Sequence, residues 1–79
     1  MTEKEIYRRL RQAIEDVFDV DDLVVSPSLT ARDVRGWDSL GNIRFVLAVE
    51  KAFGVHFKSS EVGGQPDLGA FVELLKSKL

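Results

Sequence analysis

The apolar positions of the chain fall into three helical patterns, separated by stretches in which periodicity is lost. Ile6, Leu10, Ile14, Val17 and Phe18 recur at helical spacing, so they share one face. Thr2, followed three residues later by Glu5, matches a capping box ahead of them. The first helix is therefore expected from about Glu3 to Phe18. From Asp19 to Asp38 the periodicity fades, Pro27 forbids a continuous helix, and Ser26, Ser28, Thr30 and Gly36 supply turn chemistry. A loop of about twenty residues is long for a compact domain, so Leu23, Val25, Leu29 and Val34 are expected to pin it by packing inward. A short helical turn near Leu29 to Val34 is compatible with that.

The second helix opens at Asp38 or Ser39, both good N-caps, and continues through LGNIRFVLAVEKAF to Gly54, a natural stop. The following VHFKSSEVGG has room for a single helical turn around Ser59 to Val62 before Gly63 and Gly64 break the chain. The last helix begins between Gln65 and Asp67, where Pro66 suits a first-turn position. Its stripe is Leu68, Phe71, Val72 and Leu75, slightly weakened by Gly69. No alternating apolar run is long enough for a strand. The expected class is all-α, a small bundle.

Composition narrows the function. With 79 residues, 44% of them hydrophobic, the chain supports one domain, residues 1–79, with a thin core. It has no cysteine, hence no disulfide and no thiolate metal site, and any thioester chemistry would need a sulfur brought in from outside. No apolar stretch approaches a membrane span, and the charged MTEKEIYRRL lacks the apolar block of a secretory signal. A soluble, cytoplasmic protein is expected. Eleven basic and thirteen acidic side chains leave a net charge of −2 without a basic run, which argues against nucleic acid as a partner. The cluster of Glu15, Asp16, Asp19, Asp21 and Asp22 reads as a solvated surface.

The second helix is apolar on two sides. At about 100° per residue, Phe45, Val46, Val49, Ala52 and Phe53 fall together and are expected in the core. Leu40, Ile43 and Leu47 form a separate stripe flanked by Arg44, Glu50 and Lys51. A domain this small cannot bury both sides centrally. The second stripe is either a docking surface or is covered by the long loop. Ser39 heads this helix, where free backbone N–H groups and the helix dipole favour an anion. Read locally, Asp38-Ser39 is an ordinary helix cap.

GWDSLGNIRFVLAVEKAFGVHF, Gly36 to Phe57, resembles the acyl carrier protein family around its attachment motif, here Asp38-Ser39-Leu40. The likeness continues weakly to both ends and covers essentially the whole chain. It implies a four-helix bundle with a long loop between the first and second helices and a short third helix. It also implies that Ser39 attacks the pyrophosphate of coenzyme A, under a separate phosphopantetheinyl transferase, and so gains a covalent 4'-phosphopantetheine arm. Acyl or aminoacyl groups would then ride as thioesters between partner enzymes, an activating ligase and a downstream acyltransferase or synthase, while the carrier itself is not an enzyme. In the family the residues after the modified serine contact partners, which implies that role for Leu40, Ile43, Arg44, Leu47, Glu50 and Lys51. Gly41, Arg44 and Lys51 depart from the strongly acidic second helix of fatty-acid-synthesis carriers. A specialised pathway is therefore expected rather than primary fatty-acid synthesis, and a monomer.

Other readings fare worse on the residues. A hydrolase elbow fails because Trp37 replaces its first glycine and strands are missing. His56 is a lone histidine between inward-facing Val55 and Phe57, poor support for catalysis or a metal. A calcium loop from Asp19 fails at Val24 and Thr30, where glycine and glutamate are needed. The remaining alternative is a helical interaction module, never modified at Ser39, that uses the Leu40-Ile43-Leu47 stripe.

Overall fold

The first helix, α1 (Glu3–Phe18), starts where the Thr2 hydroxyl accepts the Glu5 N–H at 3.2 Å, in a computed structural model that describes residues 1–63 and 65–79. Only this half of the expected capping box forms. The Glu5 carboxylate is instead held by Arg8 and Arg9, charge-assisted partners that outbid a backbone N–H. Arg8 first, then Arg9, lower its pKa to about 2. α1 ends at Asp19, which turns left-handed at φ 52° and returns its N–H to the Glu15 carbonyl. Its apolar face buries Ile6, Leu10, Ala13 and Ile14.

The long loop is pinned as expected by Leu29 and Val34, both buried, with Leu23 and Val25 half-buried against the core. One 3₁₀ turn, Ala31–Asp33, lies within it, and the Asp33 carboxylate accepts the Thr30 N–H at 2.9 Å. α2 (Ser39–Phe53) buries Gly41, Phe45, Val46 and Val49 and stops at Gly54, left-handed at φ 67°. Ala52, expected in the core, is exposed: it lines a shallow groove with Ala48, Arg9 and Gln12, and a methyl is too short to close that gap.

Next come α3 (Ser59–Val62) and α4 (Leu68–Lys76). Pro66 lies outside the first turn of α4, because Asp67 is the cap and its carboxylate accepts the Ala70 N–H at 2.9 Å. The break expected at Gly64 lies outside the described residues. The long loop crosses the head of α4, where the Pro27 carbonyl accepts the Gly69 N–H at 2.9 Å and the Leu29 carbonyl the Leu68 N–H at 2.8 Å. That approach needs Gly69, since a Cβ there would stand 3.0 Å from Pro27 Cβ and 3.1 Å from its carbonyl oxygen.

The four α-helices thus close on one core, with no strand among the described residues. An aromatic row threads it. Phe18 stacks on Trp37 at 4.7 Å between ring centroids, Trp37 meets Phe45 at 4.9 Å, and Phe45 and Phe57 each meet Phe71 at 5.2 Å. The row joins the end of α1 to the loop, α2, α4 and the α2–α3 connection. Such contacts add about 0.5–1.5 kcal/mol per pair to simple burial. Among the described residues no helix is long and apolar enough to cross a membrane.

Candidate functional site

The head of α2 is built by the loop that precedes it. Gly36 is left-handed at φ 86°, and its carbonyl accepts the Asp38 N–H at 3.0 Å, turning the chain sharply into the helix. Asp38, in extended backbone, is the cap, and its Oδ1 accepts the Gly41 N–H at 2.7 Å. Ser39 is therefore the first helical residue and stays exposed. With the Asp38 carboxylate folded back on the helix, the serine side chain stands free at the positive end of the dipole. Gly41 makes the turn that tight. A Cβ there would fall 2.6 Å from a Phe18 ring carbon and 2.9 Å from the Gly36 carbonyl oxygen. The missing acid at this position is thus a packing requirement as much as a surface choice.

Trp37 packs the loop onto the bundle through Phe18 and Phe45, and its Nε1–H donates to Asn42 Oδ1 at 3.1 Å. Asn42 in turn donates from Nδ2 to the Val62 carbonyl at 2.8 Å. One amide thus ties the loop to the end of α3. Beside this bridge opens a cavity of about 390 Å³, whose walls include Ser39, Asn42, Phe45, Val62, Leu68 and Phe71. Its lining mixes polar Thr30, Asp38 and Gln65 with apolar Leu29, Phe45 and Phe71. Sequence reasoning missed Asn42; its signal was a polar residue on the inward side of α2, where a side chain needs buried partners.

The outer stripe is open rather than covered by the loop: Leu40, Ile43 and Leu47 are 57%, 50% and 58% exposed. Arg44 and Lys51 are exposed on the same side. Glu50 is placed differently. Its Oε2 accepts the Phe57 N–H at 2.8 Å and lies 3.1 Å from His56 Nδ1, so it fastens the α2–α3 connection. His56 is otherwise in solvent, and among the described residues no group of three or more histidine, cysteine or acidic side chains is arranged to hold a metal. Arg35, unremarked in the sequence, lines a notch of about 220 Å³ with Arg44, Leu40 and Asp38. Only the fold brings these two arginines to one notch.

An all-helical bundle that presents a serine at the exposed head of one helix, over a partly apolar cavity, has the form of a carrier domain. The sequence model of the family described as "Phosphopantetheine attachment site" matches residues 8–75. The acyl carrier protein of Lactobacillus acidophilus is 27% identical over 77 residues, covering 98% of this chain and 96% of that protein. The polyketide synthase PksL of Bacillus subtilis is 31% identical over 74 residues, covering 94% of this chain, which spans only 2% of that synthase. The chain belongs to the acyl carrier protein family, whose members bear the phosphopantetheine attachment site.

Proposed function

We propose that residues 1–79 act as one carrier unit in the cytoplasm, bearing on Ser39 an arm derived from coenzyme A and serving a specialised biosynthetic pathway. The observation that carries this reading is the exposed Ser39 as first residue of α2, in a chain whose family is defined by such a site. The surroundings fit the group. A phosphodiester on Ser39 would sit where the helix dipole and first-turn N–H groups favour negative charge, and the adjacent cavity of about 390 Å³ gives the rest of the arm a place to lie.

In the modification the Ser39 hydroxyl forms the new phosphorus–oxygen bond, gives its proton to a base of the transferase, and adenosine bisphosphate leaves. Asp38 keeps the first turn rigid and the hydroxyl outward during that attack. When bound, the arm supplies the thiol this cysteine-free chain lacks, on which an acyl or aminoacyl group is held as a thioester. Tethering raises the local concentration of that group at each docked enzyme, so each encounter can stay weak and reversible. The partners on this reading are a phosphopantetheinyl transferase, an acyl- or aminoacyl-activating ligase, and an acyltransferase or synthase. They meet a monomeric carrier at Leu40, Ile43, Arg44, Leu47 and Lys51, with Glu50 at the edge of the face.

Exposed Arg44 and Lys51 support a pathway other than primary fatty-acid synthesis, since they would repel the basic surfaces that dock acidic carriers. To test this, the chain is first treated with coenzyme A and a broad-specificity transferase, then offered to a fatty-acid-synthesis malonyltransferase. Wild type should load slowly, the Arg44→Glu/Lys51→Glu variant about tenfold faster, and Ser39→Ala not at all. Equal loading of wild type and the charge-swapped variant would contradict the specialised reading. Loading of Ser39→Ala would contradict the attachment point.

A further inference from the structure

The outer face of α2 carries an apolar stripe and cations that the chain itself does not neutralise. Among the described residues the ion pairs involve Arg8, Arg9, Lys76 and Lys78; Arg35, Arg44 and Lys51 take no part in them. Arg35 and Arg44 flank the notch beside Leu40, one reaching it from the loop and the other from the helix. Asp38 also lines the notch, its Oδ1 accepting the Gly41 N–H, but its carboxylate pairs with neither guanidinium, and two cations against one acid leave the notch positive. Arg44 and Lys51 are seven residues apart, two turns, or about 10 Å along the axis.

We propose that this face docks a protein surface presenting carboxylates about 10 Å apart beside an apolar patch. One carboxylate enters the Arg35–Arg44 notch, the second meets Lys51, and Leu40, Ile43 and Leu47 cover the patch between them. The proposal rests on the carrier reading and names the chemistry of the partner's docking surface. Charge complementarity selects the occupant: three cations that make no ion pair within the chain gain most from placed carboxylates, and complementary charge raises the rate of encounter and excludes wrong partners. A membrane surface fits less well. The chain as a whole is at −2, and three exposed side chains on a short helix offer far less apolar surface than an interfacial anchor needs. Exposed ion pairs are individually weak, which suits a partner that must leave after each transfer.

The probes are two synthetic helical peptides with the same leucine ladder, one with glutamates seven residues apart beside it and one with lysines there. Each is titrated into the full ¹⁵N-labelled chain, before and after treatment with the transferase, and followed by amide shifts. The glutamate peptide should move Leu40, Ile43, Leu47 and the Arg35–Gly36 segment, while the lysine peptide leaves them in place. Arg35→Glu/Arg44→Glu should weaken the glutamate peptide about tenfold and transfer the preference to the lysine peptide. Should that double variant lose helicity, Arg44→Gln alone should weaken it about threefold. Equal response to both peptides, or shifts confined to other faces, would overturn the proposal. So would binding to phosphatidylglycerol vesicles without a peptide response, or a concentration-dependent dimer that buries the stripe. Mass gain in the transferase-treated sample scores the carrier reading separately. A chain that gains the arm but ignores the glutamate peptide removes only the docking proposal, and the opposite result removes only the attachment.

Discussion

Two helices in this protein begin almost alike, α2 with Asp38-Ser39-Leu40-Gly41 and α4 with Asp67-Leu68-Gly69-Ala70, yet their heads meet opposite fates. In both, the aspartate caps the first turn, accepting the N–H of Gly41 at 2.7 Å and of Ala70 at 2.9 Å. At α4 the long loop then lies across the end, so the Leu68 and Gly69 N–H groups are spent on the Leu29 and Pro27 carbonyls and Leu68 is buried. At α2 the same loop arrives from behind, through Gly36 and Trp37, and leaves Ser39 and Leu40 exposed. A capped helix start is common chemistry. What leaves one of them open is which side of it the loop covers.

The two glycines mark where the loop presses hardest, and replacing them should give the largest effects on stability. Gly41→Ala forces a Cβ to 2.6 Å from Phe18 and 2.9 Å from the Gly36 carbonyl, an overpacking cost of about 1–3 kcal/mol that exceeds the gain of about 1 kcal/mol from helix propensity. A fall in Tm of about 5–10 °C is expected by thermal melt. Gly69→Ala meets its nearest neighbour at 3.0 Å, so its loss should be clearly smaller. The reverse order would mean that the head of α4, not that of α2, is the tighter junction.

Removing the caps should separate stability from function. Asp38→Ala and Asp67→Ala should each cost about 1 kcal/mol in chemical denaturation. Only Asp38→Ala should also slow addition of the arm, by several-fold, because the turn that presents Ser39 loosens. Equal slowing by both variants would show that the rate follows global stability rather than the head of α2.

The smallest effect belongs to α3, which stands between the two heads. The Glu61 carboxyl is held below its ordinary 4.5 by the Lys58 N–H first and by the Lys78 ammonium second. A carboxyl with a lowered folded pKa stabilises above its unfolded value, and the stabilisation is lost as the pH falls through the folded one. Acidification below 4.5 should therefore loosen Ser59–Val62 before α2, read as earlier loss of amide protection in α3. In Glu61→Gln that difference should disappear.

Much of this was legible in the chain. The bounds of α1, the turn at Ser59–Val62 and the inward Leu29 and Val34 follow from local spacing and capping, and they are found as read. Membership of the family was legible in the likeness around Asp38-Ser39-Leu40, and attachment at Ser39 is what that likeness leads us to propose. What could not be read is set by pairings distant in sequence. Asn42 reaches Val62 twenty residues on, Arg35 shares a notch with Arg44 only across the α2 junction, and the aromatic row joins five separate stretches. Local rules also misplaced residues with competing partners. Glu5 left its capping box for two arginines, Pro66 stood outside a turn that Asp67 could cap better, and Ala52 was too small to reach the core. Glu50, grouped by spacing with the outer face, is turned aside by the Phe57 N–H.

The most direct measurement of the central claim is the mass of the intact chain after incubation with coenzyme A and a broad-specificity transferase, followed by fragmentation, with a known carrier modified in parallel. One phosphopantetheine mass should appear, located on the peptide that contains Ser39, and Ser39→Ala should gain nothing. No gain in the wild-type chain while the known carrier is modified, or a gain located on any other residue, would contradict the account.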